Sequence, residues 1–210
     1  MRVKRNLFAG AISPATSGKG GGGKSSRRRE VKILVYGFGP YLQFTTNITA
    51  QTIQNLSPRK GLRTVVFPVR FNRAQFVRSI KRHEPDVVLG LGQCSSGARF
   101  RIERRALNRR CDTEGARPVA INSAGPKQLI PTLPLRAGRG ARTSRNAGAY
   151  VCNYSMYVLL DYLRRNHLAT RFGFLHIPRD VGRARATSYL ERVLNRLQRS
   201  FNPSSARRRR

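Results

Sequence analysis

The run Val31-Lys32-Ile33-Leu34-Val35-Tyr36-Gly37 breaks abruptly with everything before it. Residues 1 to 29 contain no acidic residue and are rich in Gly, Ser, Lys and Arg, including Gly20-Gly21-Gly22-Gly23 and Arg27-Arg28-Arg29. From Val31 the chain is apolar and β-branched, the pattern of a buried strand that stops at a glycine. A folded domain is expected to begin there. Onward, Gly37-Phe38-Gly39-Pro40-Tyr41 reads as a loop, and Asn47 to Leu56 as a short amphipathic helix with Ile48, Ile53 and Leu56 inward. A second strand is expected at Leu62 to Phe71, then a helix from about Asn72 to Arg82 with Phe76 and Ile80 four apart, then a buried strand from Asp86 to Leu91. This alternation predicts βαβ units and an α/β fold: a three-layer α/β/α sandwich around a mostly parallel, mixed sheet. Ligands of such sheets bind outside the carboxyl ends of the strands, so loops beginning at Gly37 and Gly92 are expected at the site.

Ala98 to Asn108 reads as extended and partly exposed. Thr113 to Arg145 is dominated by Gly, Pro, Ser and Arg, with only the apolar islands Leu129-Ile130 and Leu133-Pro134-Leu135. Periodicity returns at Tyr150 to Leu163, where Val151, Met156, Leu159, Leu160 and Leu163 share one face of a helix beginning just after Gly148. A strand at Arg171 to Ile177 and a helix at about Ala184 to Gln198 complete the pattern. The 210 residues suit one domain. Residues 31 to 200 are assigned to it, between a disordered basic extension (1 to 30) and a disordered basic tail (201 to 210). No apolar run approaches the roughly 20 residues a membrane-spanning helix needs, so no membrane partner is expected.

Cys94, Cys111 and Cys152 are the chain's three cysteines, an odd number without a CxxC pair or a clustered histidine. Neither a disulfide framework nor a metal site is indicated, and a reducing compartment, by default the cytoplasm, fits. Organellar import through residues 1 to 30 stays open. The formal charge of +33 is spread over both ends and over the central region, from Arg99 and Arg101 to Arg142 and Arg145. Two readings remain: contact with a polyanion such as RNA through phosphate neutralisation, or a compositional bias on solvated faces. No nucleic-acid-binding motif accompanies the charge.

Cys152 falls in the first turn of its helix, where free N–H groups and the positive dipole end favour a thiolate. His176 ends a strand and precedes Ile177-Pro178, so its imidazole can emerge at the same rim as a base and then an acid. Glu103, one of nine acidic residues, could orient that imidazole and stabilise its charged form. The residues alone leave the structural alternatives standing: a small buried cysteine and a Glu–Arg ion pair. Cys94 and Cys111 read as loop or core thiols, and His83 and His167 as surface or capping residues.

Several blocks together, over roughly residues 31 to 180, resemble the pyroglutamyl peptidase I (pyrrolidone-carboxylate peptidase) family. Gly37-Phe38-Gly39-Pro40-Tyr41 with Asn47 is similar to that family's GF-x-PF loop and downstream Asn, Gly92-Gln93 to its GQ, and Glu103-Arg104-Arg105-Ala106-Leu107-Asn108 to its ERxAxN. The most specific are the segment Asn146 to Tyr157 around Cys152-Asn153, and Gly173-Phe174-Leu175-His176-Ile177-Pro178. The resemblance implies Cys152 as nucleophile, His176 as base and Glu103 as orienting acid. It further implies an apolar slot for a lactam ring from Phe38 and Tyr41, Gln93 near the ring's polar edge, and peptides with an N-terminal pyroglutamate as substrates. No cofactor is implied, and a homo-oligomer is left open. An uncharged lactam suits such a slot because a free ammonium would be desolvated there at high cost.

The chain departs from the family at Gly97, where many members carry Arg, in the short Arg109 to Gly115 stretch, and after Leu133-Pro134-Leu135. Arg136 to Arg145 is too short for the family's helix and following strand, so an outer element is expected to be lost or truncated. A catalytically impaired homologue acting as a basic RNA- or polyanion-binding protein is the alternative function.

Overall fold

The computed structural model describes residues 30–41, 44–95, 97–113 and 116–201. The basic extension before Glu30 and the tail after Phe201 lie outside the described residues. In chain order the elements are β1 (Ile33–Phe38), α1 (Ile48–Gln54), β2 (Leu62–Phe67), α2 (Arg73–His83), β3 (Val87–Cys94), β4 (Phe100–Glu103), β5 (Ala106–Leu107), β6 (Gln128–Leu129), β7 (Ala141–Ser144), α3 (Val151–Arg165), β8 (Arg171–Pro178) and α4 (Arg183–Phe201).

Every residue of β1 is buried, as an uninterrupted apolar run should be in a central strand covered on both faces. It pairs in parallel with β2 and β3, and β3 pairs in parallel with β8. Next to β8 lies β4, antiparallel, and β7 pairs in parallel with β4 at the edge. The resulting order is β2-β1-β3-β8-β4-β7, the mostly parallel, mixed sheet expected. Successive side chains point to opposite faces. Ile33, Val35, Leu89, Leu91, Leu175 and Ile177 pack with Leu190 and Leu194 of α4, whereas Leu34, Tyr36, Val88, Phe172 and Phe174 pack with Phe76 of α2 and Met156 and Leu159 of α3. Each large apolar side chain buried this way contributes about 1.5–3 kcal/mol, so the two layers fix the sheet between them.

Element ends follow local chemistry. β2 stops at Phe67, short of the Phe71 expected, because Pro68 has no N–H with which to extend the ladder. Asn72 caps α2 from outside, its side chain accepting from the Ala74 N–H. β1 and β3 run one and two residues past Gly37 and Gly92, the glycines expected to begin loops, ending at Phe38 and Cys94. Gly92 pairs with His176 and Cys94 with Pro178, so continuing pairing with β8 holds these residues in the strand.

The outer element expected to be lost is resolved into its parts. Between Leu135 and β7 the chain forms no helix, yet β7 itself is present and pairs with β4. Leu133 and Leu135 remain buried, and the Leu133 N–H donates to the Phe172 carbonyl. Anchoring by these two leucines returns the chain to the sheet without the helix.

Candidate active site

Cys152, His176 and Glu103 come together at the carboxyl ends of β3 and β8, on the α3 face of the sheet. Gly148 has φ of 81°, a left-handed conformation that glycine adopts without penalty, and it turns the chain into α3. Tyr150 occupies the N-cap position without a side-chain cap bond. Cys152 is therefore the second residue of the helix, among N–H groups with no intrahelical partner. His176 is the sixth residue of β8 and is 6% exposed. Its Nδ1 lies 2.8 Å from Oε1 of Glu103, itself 1% exposed at the end of β4. The other carboxylate oxygen, Oε2, has no partner among the described residues. This carboxylate, expected from the sequence to orient the imidazole, is directed at it alone.

Gly92 stands between nucleophile and base. A Cβ there would lie 2.7 Å from Cys152 Sγ and 2.8 Å from His176 Nε2, so only glycine lets the thiol and the imidazole meet over β3. Burial pushes the His176 imidazole down, but the charge of Cys152, a hydrogen bond to it, and the Glu103 carboxylate outweigh burial and raise its pKa to about 9. Such a pair holds a proton on the ring at neutral pH, ready for a departing amine.

The residues expected to bind substrate sit beside this group in different ways. Phe38 is 2% exposed, its ring packed against Tyr36 and Phe76 at centroid distances of 5.9 and 6.3 Å. Tyr41 is half-buried, and its hydroxyl accepts a hydrogen bond from that of Tyr150. Gln93 uses Oε1 to accept the Ile48 N–H at the start of α1, leaving its amide N–H₂ free of any such contact among the described residues. Asn47 fixes the loop: Oδ1 accepts the Thr49 N–H at 3.0 Å, and Nδ2 donates to the Gly39 carbonyl at 3.1 Å.

Other contributors were not singled out in the sequence. Phe71 meets Tyr150 and Tyr154 edge-on and Tyr41 meets Tyr150 at a tilt, an aromatic group next to Cys152 with centroid distances of 5.1–5.2 Å. Tyr150 falls two residues before Cys152, but its ring's partner, Phe71, lies far away in sequence and leaves no local signal. Asn153 is fully buried and clamps β5: Oδ1 accepts the Leu107 N–H, and Nδ2 donates to the Leu107 and Arg109 carbonyls, each at 2.8 Å. That bond set ties β5, the strand that follows Glu103 in the chain, to the helix carrying Cys152. The Cys-Asn pair in the sequence held its signal, read only for the cysteine.

The remaining candidates fall where expected or near it. Cys94 ends β3 half-buried, Cys111 lies in a loop, His83 closes α2 and His167 is exposed just after α3. No group of three or more potential metal ligands occurs among the described residues, and none of their helices is long and apolar enough to cross a membrane. A cavity of about 730 Å³ lies at the amino ends of the strands, lined by Val31, Pro85, Thr170 and Phe201. It holds neither thiol nor imidazole, and the chemistry lies at the opposite end.

A thiol at a helix start, facing an imidazole held by a buried carboxylate, is the arrangement of the cysteine peptidase class. Within that class the chain belongs to the pyroglutamyl peptidase family, whose sequence profile it matches over residues 31–183. It is 32% identical over 169 residues to a pyrrolidone-carboxylate peptidase of Bacillus velezensis, covering 71% of this chain and 79% of that one. With the pyrrolidone-carboxylate peptidase of Erwinia tasmaniensis it shares 35% identity over 167 residues, or 70% and 78% of the two chains. The fold is similar to the crystal structure of pyroglutamyl peptidase I from Bacillus amyloliquefaciens, with a TM-score of 0.67, 27% identity, and coverage of 80% of this chain and 92% of that one. Nothing in these comparisons supports the polyanion-binding alternative.

Proposed function

We propose that this chain is a pyroglutamyl peptidase that hydrolyses the amide bond after an N-terminal pyroglutamyl residue of peptides, with Cys152 as nucleophile, His176 as base and acid, and Glu103 as the orienting group. The observation that carries this reading is the buried His176–Glu103 contact of 2.8 Å beside a thiol for which only Gly92 leaves room.

The thiolate of Cys152 attacks the pyroglutamyl carbonyl carbon. The oxyanion is held by unpaired N–H groups of the first turn of α3, that of Cys152 itself among them. His176 gives its proton to the leaving amine, then takes one from the water that attacks the thioester, releasing pyroglutamate and restoring the thiolate. The lactam lies between Tyr41 and the free amide N–H₂ of Gln93. Phe38 backs this slot from within the core rather than lining its mouth. A lactam without charge enters such a place at low cost, whereas a free N-terminal ammonium does not.

A free, ionisable thiol needs a reducing compartment, and the cytoplasm meets that need. The basic surface leaves room for nucleic acid as a second partner. Salt-sensitive retention on RNA after removal of the terminal arginines is the observation that would establish it.

Incubation with a pyroglutamyl fluorogenic amide tests the peptidase reading. Turnover is expected from the native protein, blocked by a thiol alkylating agent and absent from Cys152→Ser. No thiol-dependent turnover by the native protein would reject it.

A further inference from the structure

Arg101 on β4 and Arg142 on β7 are register partners in adjacent parallel strands. Their neighbours Phe100, Ile102 and Ala141 belong to the core on the α4 side, so by alternation both arginines point to the α3 side, with Glu103, His176 and Cys152. Arg101 is also the register partner of His176 across the β4–β8 ladder. Neither arginine has a carboxylate partner among the described residues. The nearby carboxylate, Glu103, is already held by His176. Among the described residues, Arg101 donates a single, long hydrogen bond of 3.4 Å, to Ser95 Oγ. The thiol of Cys94, raised by burial, is influenced by Arg101, Cys152, Glu103 and Arg142 together, which places the arginines in the neighbourhood of the nucleophile.

Like charges directly opposite on a sheet repel, and two such guanidiniums without a counter-charge form a site for an anion. The sheet order sets which part of a substrate reaches them. The slot at Phe38 and Tyr41 lies over β1, Cys152 and His176 over β3 and β8, and the arginines over β4 and β7. Strands are about 4.8 Å apart. With the ring in its slot over β1 and the scissile bond over β3 and β8, the chain beyond that bond continues toward β4 and β7. The side chain of the first residue after the pyroglutamyl group then falls one to two strands away, within the span of an arginine.

We infer that Arg101 and Arg142 form a carboxylate-binding subsite that selects substrates with Glu or Asp directly after the pyroglutamyl residue. This rests on the peptidase reading above. Arginine suits the role because its planar fork matches a carboxylate with two parallel hydrogen bonds.

The test compares two peptides of equal size, pyroglutamyl-Glu-amide and pyroglutamyl-Gln-amide, which differ by one charge. At low ionic strength the Glu peptide is expected to have a kcat/KM about fivefold higher, the worth of one partly solvated ion pair. That ratio should fall toward one above roughly 0.5 M salt and in the double variant Arg101→Gln, Arg142→Gln. It should persist in Arg192→Gln, Arg199→Gln, which removes the same charge from α4 on the other face and so separates the subsite from general attraction to a basic protein. Equal kcat/KM values for the two peptides, or equal effects of the two double variants, would overturn the subsite. If neither peptide is cleaved, the peptidase reading falls by itself, and calorimetric titration of the same peptides still decides the subsite. Tighter binding of the Glu peptide, lost in Arg101→Gln, Arg142→Gln, upholds it; equal affinities reject it.

Discussion

Substituting Gly92 by alanine adds one methyl group at the point where the thiol and the imidazole meet. The new Cβ would sit 2.7 Å from Cys152 Sγ, 2.7 Å from His176 Cδ2 and 2.8 Å from His176 Nε2, where ordinary contacts begin at 3.4 Å. Relief requires a displacement of about 0.7 Å, shared between the two side chains. His176 cannot supply it freely: its ring is buried, lies 5.1 Å from the Phe174 ring and is tied to Glu103. The thiol therefore rotates away from the base. Misplacement of reacting groups on that scale costs about 100-fold in rate, while the overpacking itself costs about 1–3 kcal/mol of stability. Gly92→Ala is expected to stay folded, with a melting temperature a few degrees lower, and to lose about 100-fold in kcat for a pyroglutamyl fluorogenic amide with KM little changed. A folded variant with kcat within threefold of the native value would refute the view that Gly92 is kept open for the Cys152–His176 contact.

Three further outcomes follow from the site and the helix that carries it. His176, raised to about 9, is protonated at neutral pH and loses its proton as pH rises through about 9, so the acid that serves the leaving amine disappears and kcat should decline on that alkaline limb. In Cys152→Ala the foremost raising influence is removed, and an NMR titration should find the His176 pKa clearly lower; an unchanged value would contradict the assigned cause. Asn153→Ala strips three 2.8 Å hydrogen bonds from Leu107 and Arg109 and should cost about 2–4 kcal/mol by urea denaturation, since buried backbone groups are left unpaired. A loss below about 1 kcal/mol would mean that β5 is held by other contacts.

The sheet was legible because β1, β3 and β8 are buried on both faces, and such strands leave unbroken apolar runs. Cys152 was legible as a residue at a helix start after Gly148, and His176 as one at a strand end before Pro178. Glu103 was less so, because its burial depends on β4 turning antiparallel beside β8, a pairing across 73 positions that no local pattern encodes. The limits of β3 were misread for a related reason: Gly92 looks like a terminator, but pairing with β8 overrides that preference and the glycine serves packing instead. The segment Arg136 to Arg145 was expected to have lost or truncated an outer element; it holds no helix, yet it contains β7, and the docking of Leu133 and Leu135 under Gly173 that precedes it is again a distant contact. The expected disorder of both basic ends falls outside the described residues.

The two outermost strands of the sheet are β7 and β2. Exposed ladders invite another chain to pair with them and aggregate. Here β7 is only four residues long with Arg142 exposed on it, and β2 carries exposed Arg63 with Lys60 just before it. A second copy approaching either rim would have to bring its own cations alongside these. Positive charge at both margins thus discourages copies from joining edge to edge.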